Sequence, residues 1–185
     1  MFSWLKKSAS ARRPRCAALV AAAGSSSRMG GINKPLEGVP VLVRTLTALQ
    51  MANRVDEIIV ATREEDLVEI SRLCRDYGIT KCTKVVRGGE SRVHSVLLAA
   101  LEAGEDIDLL AVQDGARPLV TPELIDRTIA AAAKCGAAAP AVPVKDTIKS
   151  VGQGNTVTQT LDRSILRAVQ TPQVFDGALL KAALQ

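Results

Sequence analysis

Three times along this chain a short apolar run ends abruptly in a loop of small and charged residues. Cys16–Ala22 leads into Ala23–Lys34, Lys84–Arg87 into Gly88-Gly89-Glu90-Ser91-Arg92, and Leu109–Gln113 into Asp114-Gly115-Ala116-Arg117-Pro118. Runs this short, rich in Ala, Val, Leu and Ile, read as buried strands. Between them lie longer stretches with helical spacing. Pro40 opens one through Met51, with Leu42, Leu46 and Leu49 on a single face and Pro in the first turn. Glu57–Ala61 is a further buried strand. Glu64–Tyr77 is an amphipathic helix with Leu67, Ile70, Leu73 and Cys74 inward, stopped by Gly78. A helix over Ser91–Ala103 carries Val93, Val96, Leu97, Ala100 and Leu101 at helical spacing. Thr121 caps the next, with Pro122 at its first position, and that helix ends near Cys135-Gly136. Strands alternating with helices predict an α/β fold with a doubly wound, mostly parallel sheet. Ligands of such sheets bind beyond the carboxyl ends of the strands, so one crevice collects all three loops.

After Gly136 the pattern changes. Ala139–Val144 contains Pro140 and Pro143 and reads as an edge or irregular strand. Asp146–Val151 and Thr156–Leu161, joined by Gly152-Gln153-Gly154-Asn155, predict a hairpin. A lone hairpin is marginally stable, so this one needs a surface to pack on, such as a second subunit. Arg167–Phe175 follows, and Asp176 caps a final helix that is still running at Gln185.

Composition narrows the function classes. With 185 residues the chain fits one domain, and only Phe2, Trp4, Tyr77 and Phe175 are aromatic, so stacking of nucleobases on exposed rings is not expected. Residues 1–15 hold five of the 24 basic residues and no acid; the remaining 19 balance 19 acids. The body is therefore neutral and makes no case for a nucleic-acid surface. The basic start reads as a short disordered leader over 1–15, ahead of one domain over 16–185. No stretch is apolar enough for a secretory signal or a membrane span, and a cytoplasmic location is expected. Cys16, Cys74, Cys82 and Cys135 lack metal-knuckle or redox-pair spacing and read as buried thiols in a reducing compartment. His94 is the one histidine, which excludes a multi-histidine zinc site.

The chemistry lies in the loops. Gly24, three serines and two further glycines let backbone N–H groups close on an anion, with Arg28 and Lys34 to meet phosphoryl charge; a plain flexible turn fits the same residues. Neither the Gly-Lys-Ser/Thr phosphate loop nor the dinucleotide spacing is present. Asp114, at a strand end, taken alone suits a local turn hydrogen bond; opposite Arg28 and Lys34 it suits Mg2+ shared with phosphate oxygens. Arg117 suits a phosphate fork or a solvated cap. Gly88-Gly89 admits a ligand close to the backbone, or forms a simple strand-to-helix turn.

Taken in order, Ala22-Ala23-Gly24-Ser25-Ser26-Ser27-Arg28-Met29, Gly88-Gly89-Glu90-Ser91-Arg92-Val93-His94-Ser95-Val96, Asp114-Gly115-Ala116-Arg117-Pro118, Asp146-Thr147-Ile148-Lys149, Asp162-Arg163 and Thr171-Pro172-Gln173 resemble the 2-C-methyl-D-erythritol 4-phosphate cytidylyltransferase family. The resemblance covers 16–185 and implies a Rossmann-like nucleotidyltransferase with a projecting β-hairpin arm over about 144–162, which works as a homodimer. It implies transfer of CMP from CTP to the sugar-alcohol phosphate, with pyrophosphate released. By the same resemblance Arg28 and Lys34 are catalytic and Asp114 holds Mg2+. Ala22, Ala23, Gly24, Gly89, Glu90, Ser95 and Gly115 would cradle CTP. Arg117, Thr147, Arg163 and Thr171 would hold the acceptor, with Thr147 and Arg163 on the arm that reaches into the partner's site. Three features depart from the family. Lys34 is followed by Pro35-Leu36 rather than Gln, and His94 stands where Asp or Gln is common. The family also continues past Gln185 to a substrate-binding Lys without counterpart here. Ribitol 5-phosphate cytidylyltransferase, a close relative, and an inactive nucleotide-binding module remain alternative readings.

Overall fold

The computed structural model describes residues 12–24 and 34–185. The elements in chain order are β1 (Cys16–Ala21), β2 (Pro35–Leu36), β3 (Val39–Pro40), α1 (Val41–Met51), β4 (Glu57–Thr62), α2 (Leu67–Asp76) and β5 (Cys82–Arg87). Next come α3 (Arg92–Leu101), β6 (Leu109–Asp114), α4 (Pro122–Cys135), β7 (Ala137–Ala138), β8 (Ala141–Pro143) and β9 (Lys149–Val151). The chain closes with β10 (Val157–Thr160), β11 (Arg167–Val169), β12 (Gln173–Asp176) and α5 (Gly177–Leu184).

The main sheet has the order β5-β4-β1-β6-β12-β7. Its first four strands are parallel, and β12 runs antiparallel between β6 and β7. Alternation along the strands feeds two cores. Ala18, Val20, Ile58, Val60 and Ala111 face one side with Leu42, Leu46, Ile125 and Ile129 of α1 and α4. Ala17, Leu19, Ile59, Ala61 and Val112 face the other with Val96, Ala99 and Leu180 of α3 and α5. Both faces are covered, as a doubly wound sheet requires.

The helix ends follow their sequence signals. The Thr121 hydroxyl accepts from the Leu124 N–H at 3.3 Å, and α4 stops at Gly136 with φ +84°. Asp176 caps α5 through the Leu179 N–H. The Glu64–Tyr77 segment divides into a 3-10 turn at Glu64–Asp66 and then α2, which Gly78 ends with φ +66°.

The face expected of α3 is corrected. Helix α3 presents Ser95, Val96, Ala99 and Ala100 inward, whereas Val93 and Leu101 are more than half exposed. Small residues let α3 lie close on β1 and β4, and the Ser95 hydroxyl must face the Gly89 backbone; together these turn the helix away from its largest apolar side chains. Residues 167–175, to which the sequence assigned no element, divide between two sheets. Pro172 has no N–H to give a ladder, and the chain switches there from β11, paired with β8, to β12 in the main sheet.

β9 and β10 pair antiparallel as expected, and together with β8 and β11 they form an arm whose residues are almost all exposed. Within the segment read as a leader, residues 12–15 are tied to the amino-terminal edge of the sheet. Arg12 pairs with Asp108, Arg13 with Asp56 and Arg15 with Asp106. Cys16 and Cys74 are buried, but Cys82 is only half-buried and Cys135 is exposed, so the expectation of four buried thiols holds for two.

Candidate active site

Four carboxyl strand ends meet at one edge. Parallel pairing sets Ala21 of β1 beside both Ala61 of β4 and Asp114 of β6. The chain leaving each strand is sewn to its neighbour. The Ala22 N–H donates to the Ala61 carbonyl at 2.8 Å, Gly88 to Thr62 at 2.7 Å, and Gly115 to Ala21 at 3.0 Å. The Thr45 hydroxyl of α1 donates to the Gly115 carbonyl at 2.9 Å, so the opening of the 114–118 loop is held from both sides.

The loop after β5 lies hard against the loop after β1. A Cβ on Gly88 would stand 2.5 Å from the Ala23 Cβ and 2.9 Å from Ser95 Oγ, so only glycine fits. Ser95, the buried polar residue of α3, accepts from the Gly89 N–H at 3.0 Å and donates to the Ser91 carbonyl at 2.9 Å. Ser91 caps α3 by accepting from the His94 N–H. The His94 ring lies over Gly89, where a Cβ would sit 2.3 Å from its Cγ. Glu90, between these anchored residues, is exposed.

Asp114 is the charged centre of the edge. Its Oδ1 accepts from Arg92 Nε at 3.0 Å and Nη2 at 2.9 Å, and its Oδ2 accepts from Arg117 Nε at 3.0 Å. Its N–H donates to the hydroxyl of buried Thr171 at 3.3 Å. Asp114 therefore joins three segments distant in sequence: the start of α3, the 114–118 loop and the approach to β12. Two guanidinium groups on one carboxylate leave a net positive charge, suited to polyanion capture. Arg92 was not singled out as a site residue from the sequence. Its signal was positional: it is the first residue of α3, where the helix dipole disfavours a cation. A base in that place calls for an acidic partner or an anionic ligand.

Of the residues expected at the site, the structure gathers Ala22, Ala23, Gly24, Gly89, Glu90, Ser95, Asp114, Gly115, Arg117 and Thr171 along this edge. Lys34 is exposed at the entry to β2, its carbonyl accepting from the Val41 N–H. Arg28 lies outside the described residues. Thr147 and Arg163 are on the arm rather than in this cluster. Arg163 donates to the Lys145 carbonyl at 2.6 Å, which ties the arm's two sides at its base.

The donor set also bears on Mg2+. Among the described residues no three His, Cys, Asp or Glu side chains gather into a metal cluster. Asp114 Oδ1 is filled by Arg92, whereas Oδ2, bonded once, has an acceptor position left. One carboxylate oxygen fits a magnesium that draws its other ligands from water and phosphate.

The family model for 2-C-methyl-D-erythritol 4-phosphate cytidylyltransferase matches residues 16–185. The chain belongs to this family. Among relatives bearing that name, the protein of Dehalococcoides mccartyi is 40% identical over 169 residues, covering 90% of this chain and 74% of that one. The protein of Alkaliphilus metalliredigens is 43% identical over 171 residues, covering 89% and 70% respectively. In three dimensions the chain resembles the 4-diphosphocytidyl-2C-methyl-D-erythritol synthase of Anaerococcus prevotii, with TM-score 0.81, 30% identity, and coverage of 92% of this chain and 75% of that one. The Thermus thermophilus cytidylyltransferase aligns with TM-score 0.68 and 28% identity over 90% of this chain and 73% of its own.

Proposed function

We propose that the chain joins CTP to 2-C-methyl-D-erythritol 4-phosphate, giving 4-diphosphocytidyl-2-C-methyl-D-erythritol and pyrophosphate, in non-mevalonate isoprenoid synthesis. The observation that carries this reading is the meeting of Gly88-Gly89, Gly115 and the Asp114–Arg92–Arg117 group at one sheet edge, within a chain that the family model covers from 16 to 185. An oxygen of the acceptor phosphate attacks the α-phosphorus of CTP in line. The bond from that phosphorus to the bridging oxygen breaks, and pyrophosphate leaves with the electron pair. No side chain need form a covalent bond, so catalysis is positioning and charge stabilisation.

Each role rests on position. The backbone at Ala22, Ala23, Gly24 and Gly89, with Glu90, Ser95 and Gly115, holds the nucleotide. Arg28 and Lys34 neutralise charge at the reacting phosphorus. Arg117 and Thr171 hold the acceptor phosphate beside Asp114. Asp114 would hold Mg2+ through its Oδ2, and the ion would supply positive charge against the triphosphate. Thr147 and Arg163 act across a homodimer. Support for that dimer is the arm itself, where Val142, Val151, Val157, Ile165 and Val169 are exposed and find no cover within the described residues. No helix among the described residues is long and apolar enough to cross a membrane, and we place the enzyme in the cytoplasm.

Mixing the protein with CTP, methylerythritol phosphate and Mg2+ should release pyrophosphate, measured by a coupled phosphate assay. Arg28→Ala should lower kcat by about 10²–10³-fold with an unchanged unfolding midpoint. CTP binding by calorimetry without turnover would leave a nucleotide-binding module instead. An undiminished rate in the variant would remove Arg28 from the mechanism.

A further inference from the structure

Far along β5 from the Gly88 loop, the outer strand and α2 enclose a cavity of about 720 Å3, open to solvent. Leu67, Ile79 and Val85 give it apolar walls, Arg75 stands at it, and Cys74 and Cys82 both line it. Cys74 is on the buried face of α2, and Cys82 opens β5 and packs against the core cluster that contains Cys74. The turn between them holds both in place. The Ile79 N–H donates to the Cys74 carbonyl at 2.8 Å, and the Cys82 N–H donates to the Ile79 carbonyl at 3.1 Å. One residue's backbone thus clamps both cysteines at the same cavity, and the Cys82 thiol donates to the Lys84 carbonyl at 3.8 Å.

We propose that Cys74 and Cys82 form a dithiol modification site, which a low-molecular-weight disulfide entering the cavity converts to an intramolecular disulfide. The two sulfurs have different roles. The neighbouring Cys82 lowers the Cys74 pKa, against the opposing effect of burial. The Cys82 pKa is raised, first by its neighbour Cys74 and then by burial, so Cys82 keeps its proton. Cys74 is the attacking thiolate. It forms a bond to one sulfur of the reagent and expels the other as a thiolate. That thiolate takes the Cys82 proton. Cys82 then attacks Cys74 Sγ and expels the second reagent thiolate, which takes up the proton released when Cys74 ionised. Two protein thiols are oxidised to one disulfide, and one reagent disulfide is reduced to two thiols. The Arg75 guanidinium suits a reagent that carries carboxylates.

The full chain, incubated with oxidised glutathione, is quenched by alkylation under denaturing conditions and mapped by mass spectrometry. The free-thiol count should fall from four to two, with a cross-link joining the peptides of Cys74 and Cys82. In Cys82→Ser the glutathione should stay on Cys74, because the resolving thiol is gone. In Cys74→Ala, Cys82 should remain unreacted. Stable glutathione adducts on the unsubstituted chain without a cross-link, or reaction confined to exposed Cys135, would overturn the proposal, and neither result depends on a variant folding.

Discussion

Gly88 has no room for a methyl group. A built Cβ lies 2.5 Å from the Ala23 Cβ, which has no rotamer to escape into. Gly88→Ala should therefore push the β5–α3 loop off the β1 loop. Overpacking of this kind costs about 1–3 kcal/mol, readable by urea unfolding, and KM for CTP should rise more than kcat falls. A second prediction concerns Cys16, wholly buried at the start of β1. Burial is the main reason its pKa rises from 9.0 to about 12, with Asp56 adding to it. The unfolded chain loses this proton near the ordinary value while the folded chain keeps it. Stability from this group is whole below pH 9.0 and is lost as the pH climbs toward about 12. Cys16→Ala should flatten that alkaline decline in the unfolding midpoint. The Gly-Gly pair was legible as a place of close approach, because glycine is informative wherever it stands. Arg92 was not, because its meaning comes from a carboxylate 22 residues away that only the fold brings within 3.0 Å.

Local chemistry made the helices readable. Thr121, Pro122 and Gly136 bracket α4 through groups that act within one turn of the chain. Thr121→Ala removes the acceptor for the Leu124 N–H and should cost about 1 kcal/mol, measured as a lower urea midpoint with unchanged slope. The face of α3 was misread for the converse reason. Periodicity ranks residues by hydrophobicity, whereas the packed face was chosen by how closely Ala99, Ala100 and Ser95 allow the backbone to approach β1, β4 and Gly89. Residues 167–175 carry no periodicity that assigns them an element. Only pairing shows that one half belongs to the arm and the other to the sheet.

The meeting of three loops followed from alternating strands and helices together with the rule that ligands lie at carboxyl ends, whereas the strand order came only from the pairing. What could not be read was the tether at residues 12–15, since a run of bases looks the same whether solvated or paired with Asp56, Asp106 and Asp108. The arm bears on assembly. Excising residues 149–160 and bridging Ile148 to Leu161, already linked by a 3.0 Å hydrogen bond, should leave a folded monomer by light scattering where the full chain is a dimer. A full chain of monomer mass would end the homodimer proposal. One consequence of Thr171 extends further. Its hydroxyl is fastened to the backbone of Asp114, one residue beyond Gln170, whose N–H closes the foot of the arm on Pro140. The foot of the arm is thereby coupled to the backbone of the residue whose carboxylate Arg92 and Arg117 hold. Were the arm to dock on a second subunit as proposed, a tilt there would reach the Asp114 backbone through Thr171, so assembly and activity would share a single joint.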